Sequence, residues 1–213
     1  MEIPPGHIPP PYENEEEAKS RLWEMWKLFA ASQNYPAGTD SYVTDVYKAI
    51  VRRFFPEPGE ELLFLGCGDG GEVEAAESLG HWAYGVTLNP NNVKFAREVL
   101  CLDHVYYMDG HFLPLNWANK FDGVFGFQYA EHMPSPVLML VEVLRVLRKG
   151  GLGFFRTPGP RGYTLGANLH HHTAPIDVQA EGWMLKSGFV NVRVETLGPE
   201  DSAAHLDWWG YKP

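Results

Sequence analysis

From about residue 60 onward, short apolar runs alternate with stretches whose apolar residues recur every three or four positions. The runs Leu62–Leu65, Trp82–Leu88, His104–Met108, Phe121–Phe127 and Leu152–Arg156 predict strands. Glu72–Leu79, Pro90–Leu100, Pro136–Leu147 and Pro175–Ser187 predict the intervening helices. Such alternation predicts an α/β fold with a doubly wound, mostly parallel sheet and helices on both faces. Phe189–Leu197 and Ala204–Lys212 follow as a last pair of strands. Their short Gly198-Pro199-Glu200-Asp201 connection leaves no room for a helical crossover, so they are expected to pair antiparallel and complete seven strands.

Before residue 60 the pattern differs. Residues 1–12 are proline-rich and predict an extended arm. Glu13–Asn34 predicts an amphipathic helix, with Leu22, Met25, Trp26 and Phe29 at helical spacing. A second helix is expected from Thr39 or Asp40 to Phe55, closed by Pro56-Glu57-Pro58-Gly59. The expected organisation is therefore an arm with a helical cap over residues 1–59, and a sheet domain over 60–213.

Within that frame the most informative tract is Leu62-Leu63-Phe64-Leu65-Gly66-Cys67-Gly68-Asp69-Gly70. A strand feeds a G-x-G-x-G turn and a helix follows, the setting in which glycines let backbone approach a ligand closely. Other charged chemistry is sparse. The chain carries 17 basic and 27 acidic residues, a net charge of −10, which argues against a phosphate-backbone partner or an anionic bilayer. Cys67 and Cys101 offer neither a disulfide framework nor metal spacing and read as reduced residues of a cytoplasmic protein. No signal peptide or membrane span is apparent. His170-His171-His172 cannot easily converge on one ion, so no metal is assigned. Trp208 and Trp209 alternate across the last strand and are expected to divide between core and surface.

The order of motifs resembles class I S-adenosylmethionine-dependent methyltransferases over about residues 60–213. Six tracts carry the likeness in sequence order: Phe64–Gly70; Ala83–Asn89; Met108-Asp109-Gly110 with Leu113-Pro114; Phe121–Val124 with Glu131-His132-Met133; Leu144–Gly151; and Trp183–Phe189. Gly85-Val86-Thr87-Leu88 is similar to a tract of cyclopropane-fatty-acid-synthase-like members. The resemblance implies that S-adenosyl-L-methionine is the cofactor, held by Gly66, Cys67, Gly68, Asp69, Gly70, Thr87, Leu88, Asp109, Gly110, His111 and Gln128. Asp109 would accept from the adenine amino group, with Gly110 and His111 lending backbone.

Glu131 and His132 lie where such enzymes place substrate-side residues, so they are the catalytic candidates, His132 as a general base. In the bland alternative Glu131 caps the next helix and His132 packs beneath it. The chain lacks the Pro-Pro-Tyr and Pro-Cys signatures of DNA methylation after the fourth strand. A small-molecule acceptor is expected, and nucleic acid is not.

Two departures matter. Phe64 and Thr87 stand where the family usually carries acids. Charge-assisted hydrogen bonds are worth roughly 1.5–3 kcal/mol each. Losing both would weaken cofactor binding about a hundred- to a ten-thousandfold. A degenerate, non-enzymatic interaction protein, with a partner or oligomer contact through the N-terminal arm, is the competing reading, and another nucleotide in the same crevice is a third.

Overall fold

The computed structural model describes residues 44–159, 173, 175–198 and 205–213. The arm, the first helix, the start of the second, the triple histidine and the turn at 199–204 lie outside the described residues. The chain divides into two compact units, Met1–Tyr35 and Pro36–Pro213, and every described residue belongs to the second.

Its described elements run α1 (Thr44–Phe54), β1 (Glu61–Leu65), α2 (Gly71–Glu77), β2 (Trp82–Thr87), α3 (Pro90–Glu98), β3 (Val105–Tyr107), β4 (Phe121–Phe127), α4 (Pro136–Val146), β5 (Leu147–Pro158), α5 (Asp177–Ser187), β6 (Val190–Leu197) and β7 (His205–Tyr211). The seven strands lie in the order β3-β2-β1-β4-β5-β7-β6. The pairs from β3 to β5 are parallel, and β7 runs antiparallel to both β5 and β6. The expected sheet and its antiparallel final pair are both present.

Side-chain alternation along each strand builds a separate core on each face. Leu62, Phe64, Phe125, Phe154 and Trp209 point toward α1, α2 and α3 and pack with Ile50, Val51, Val73 and Ala96. Leu63, Leu65, Val124, Phe155 and Trp208 point the other way, against Met139, Leu140, Val143 and Met184 of α4 and α5. Trp208 and Trp209 do not divide between core and surface; both are buried, because helices cover both faces of β7.

The fifth strand also starts earlier than its apolar run suggests. Leu147 pairs with Phe121 although Arg148, Lys149 and Gly150 are exposed. Gly150 N–H donates to Lys212 O at 2.9 Å, and Lys212 N–H donates to Gly151 O at 2.9 Å. Long-range pairing thus extends a strand through residues whose charge and glycines read locally as a turn.

Candidate functional site

The C-terminal ends of β1, β2, β3 and β4 bring together most of the residues singled out in the sequence. The glycine loop leaves β1 with the N–H groups of Gly66 and Cys67 both donating to Val86 O, at 2.9 and 3.1 Å. Gly66, Gly68 and Gly70 have φ of 69°, 51° and 101°, a region that costs other residues about 1–2 kcal/mol. Their surroundings separate them into three roles. A Cβ on Gly70 would come within 2.8 Å of Leu102, so that position lets α2 close on the turn after α3. A Cβ on Gly66 would strike the ring of Tyr129. Around Gly68 the nearest atom is Asn92 Nδ2 at 4.0 Å, so this glycine is the one facing open space. Between them Cys67 is buried, and burial pushes its thiol pKa up. Asp69 is half-buried. Gly85 has no Cβ because Cys67 Sγ would lie 2.5 Å from it.

At the end of β2, Thr87 is buried and its Oγ1 accepts from Asn89 N–H at 3.4 Å. Leu88 is half-buried beside it, and Asn89 caps α3 by accepting from Asn91 N–H at 2.9 Å. Phe64, in the position where an acid is usual, faces the α1-side core and stacks on Phe125.

Beyond β3, Asp109 is 1% exposed. Its Oδ1 accepts from the backbone N–H and the ring Nδ1 of His111, both at 2.9 Å. Its Oδ2 is buried and has no hydrogen-bond partner. A buried carboxylate oxygen left unpaired costs about 1–3 kcal/mol or more, which a hydrogen-bond donor from a ligand would relieve. The loop after Asp109 is held from α4: Glu142 accepts from Leu113 N–H at 2.8 Å, and Arg145 Nη2 donates to the carbonyls of Leu113 and Pro114 at 3.0 and 3.2 Å. Two tracts of the sequence resemblance, Leu113-Pro114 and Leu144-Arg145, are therefore one physical clamp.

After β4 the chain turns sharply. Gln128 adopts a left-handed backbone with φ 48°, its N–H donating to Arg156 O at 2.7 Å. Its exposed side chain reaches His205 Nδ1 at 3.5 Å. A strained non-glycine residue of this kind persists only where its surroundings fix it. Arg156 in turn forms a two-point pair with the buried Asp207, at 2.6 and 2.7 Å.

Sequence reasoning passed over Tyr129. Its ring lies against Gly66, with Cε2 3.1 Å from where a Cβ would stand. Its phenol end lies against Gly110, with Cζ 3.3 Å from that glycine's Cβ position. Burial, reinforced by the negative charge of Asp109, raises its pKa well above the usual value, opposed by a hydrogen bond from the Gly110 backbone. The side chain thus spans the distance from the glycine loop to the acidic motif. The backbone N–H of His111, expected to serve a ligand, is engaged by Asp109. The available signal was Gly110 itself, a second glycine that no turn requires.

Glu131 is fully buried, and neither carboxylate oxygen has a hydrogen-bond partner. Burial raises its pKa to about 8. It does not cap α4: Ser135 occupies the cap position. His132 is half-buried, its N–H donating to Tyr129 O at 3.0 Å. Among the described residues no group of three or more His, Cys, Asp or Glu side chains could hold a metal ion. Nor is any helix among them long and apolar enough to cross a membrane.

Residues 63–155 match the family described as a methyltransferase domain. The chain is 30% identical over 145 residues to 24-methylenesterol C-methyltransferase 2 of Oryza sativa subsp. japonica, covering 61% of this chain and 38% of that one. In structure it resembles Burkholderia thailandensis 1,6-didemethyltoxoflavin-N1-methyltransferase with bound 1,6-didemethyltoxoflavin and S-adenosylhomocysteine (TM-score 0.69, 16% identity, 96% of this chain and 93% of that one). It also resembles Haemonchus contortus phosphoethanolamine N-methyltransferase 2 in complex with S-adenosyl-L-methionine (TM-score 0.68, 18% identity, 97% and 61%).

The strand order and motif order are those of the class I S-adenosylmethionine-dependent methyltransferases, and residues 63–155 match the methyltransferase-domain family. S-adenosylmethionine is the cofactor of that class. The chain spans about 38% of the length of the plant sterol methyltransferases that it matches.

Proposed function

We propose that this protein transfers a methyl group from S-adenosyl-L-methionine to a small-molecule acceptor by in-line displacement. The observation that carries the reading is the buried, unpartnered Oδ2 of Asp109, across from a glycine loop whose Gly68 faces open space. An adenine amino group supplies the donor that this oxygen lacks. Thr87 offers a hydroxyl to the ribose in place of a carboxylate, and Leu88 an apolar edge to the base. Gly68 and Asp69 give the methionyl portion its approach, and Gln128 borders the sulfonium end.

When bound, the cofactor supplies a methyl on a sulfonium, whose sulfur keeps the bonding electrons as the acceptor takes the methyl. Positioning then provides most of the acceleration. Glu131 and His132 form the substrate side. Below about pH 8 Glu131 holds its proton and can donate a hydrogen bond; ionised, it can take a proton from the acceptor. The sterol relative and 2-methyl-6-phytyl-1,4-hydroquinone methyltransferase of Synechocystis, 32% identical over 98 residues, are named for apolar acceptors. They favour an apolar acceptor here.

Titration calorimetry with S-adenosylhomocysteine tests the cofactor part. Asp109→Leu should weaken binding by roughly ten- to a hundredfold, the cost of one charge-assisted hydrogen bond. Equal affinity in the variant and the parent would remove Asp109 from the site.

A further inference from the structure

The tyrosine between the two halves of the site bears on how a cofactor enters. Resting on the cofactor reading above, we infer that Tyr129 occupies part of the adenosyl position and must swing aside about Gln128 before the cofactor binds. Three observations converge. The ring fills the space that Gly66 leaves by lacking a Cβ, on the loop proposed to carry the methionyl and ribose portions. The phenol end fills the space left by Gly110, beside the acid proposed to read adenine. The preceding residue, Gln128, is held at φ 48°, a conformation that relaxes if the segment moves.

Tyr129 is half-buried as a residue, with its phenol end enclosed beside Gly110. Its phenol stays un-ionised in the closed position. The chain therefore carries an internal competitor for its own cofactor, and the measured affinity is the intrinsic affinity scaled by the fraction of molecules with the ring displaced.

The test is titration calorimetry and stopped-flow binding of S-adenosylhomocysteine to the full chain, comparing the parent with Tyr129→Ala and Tyr129→Leu. Both variants should bind about tenfold or more tightly than the parent. The parent's observed binding rate should level off with ligand concentration at the ring-opening rate, and that of Tyr129→Ala should rise linearly. Should Tyr129→Ala fail to fold, Tyr129→Leu, which keeps apolar volume beside Gly66, gives the same comparison. A parent that binds well, with variants that bind equally or more weakly, overturns the inference and leaves the cofactor reading intact. No binding by any of the three at millimolar ligand overturns both.

Discussion

Phe64 stacks on Phe125, its partner in the β1–β4 register, with ring centroids 5.2 Å apart and planes 15° from parallel. Both rings are buried, and Phe125 is itself in contact with Phe55, Phe127 and Phe154. The residue standing where an acid is usual therefore belongs to the core beneath α1. Phe64→Asp would place a carboxylate in an aromatic cluster, where a cavity and an unpaired charge act together. We expect a loss of at least about 3–5 kcal/mol in urea unfolding, against about 1 kcal/mol for Phe64→Leu. An aspartate variant as stable as the leucine one would show that position 64 can reach solvent.

Gly66 and Tyr129 should be coupled. Gly66→Ala carries a left-handed backbone penalty of about 1–2 kcal/mol and adds a collision with the ring. Gly68→Ala carries the backbone penalty alone, since its surroundings are open. In thermal unfolding, Gly66→Ala should therefore be the more damaging. Combining it with Tyr129→Ala should recover the part due to collision, a coupling of about 1 kcal/mol or more. Strict additivity would separate the two residues.

Stability should depend on pH through Glu131. The folded protein keeps this proton until about pH 8, whereas the unfolded chain releases it near the ordinary value of 4.5. Between those values the unfolded state binds fewer protons, so stability falls as pH rises, by a few kcal/mol in all, and levels off above about 8. Glu131→Gln should remove this decline and exceed the parent in stability at pH 8, as read from urea midpoints between pH 5.5 and 9. An unchanged slope would place the carboxyl in contact with water or a cation.

Arg156 and Asp207 pair across β5 and β7, with Asp207 1% exposed. Removing one partner leaves the other buried and uncompensated. Arg156→Met alone should cost about 3–5 kcal/mol, and adding Asp207→Leu should restore most of it. Calorimetric melting of the single and double variants decides; a mild single variant would mean that water screens the pair.

Much of the sheet could be read from the chain because its strands are short apolar runs bounded by glycine, proline and charge. Legibility failed where distant residues decide. The start of β5 depends on Phe121 and Lys212, not on the exposed Arg148 and Lys149 within it. Asp109 stood out by its place after a strand, and the structure adds the unpartnered oxygen that makes it informative. Tyr129 was invisible for a plainer reason. A tyrosine after a strand has no local meaning, and its contacts lie 63 residues before it at Gly66 and 19 before it at Gly110.

Asp122 takes the N–H of Glu61 at 2.8 Å on one oxygen and both oxygens face Arg148 Nη1 at 2.8 Å, while Arg148 also reaches Glu61. One carboxylate thus rivets the entrances of three neighbouring strands, β1, β4 and β5. A sheet fastened along that margin is expected to open at the opposite one, where the chain leaves β4 through Gln128. In hydrogen–deuterium exchange the amide of Glu61 should be among the last to label and those of Tyr129 to His132 among the first. The mobility that ligand entry demands would then be confined to one end of an otherwise stiff scaffold.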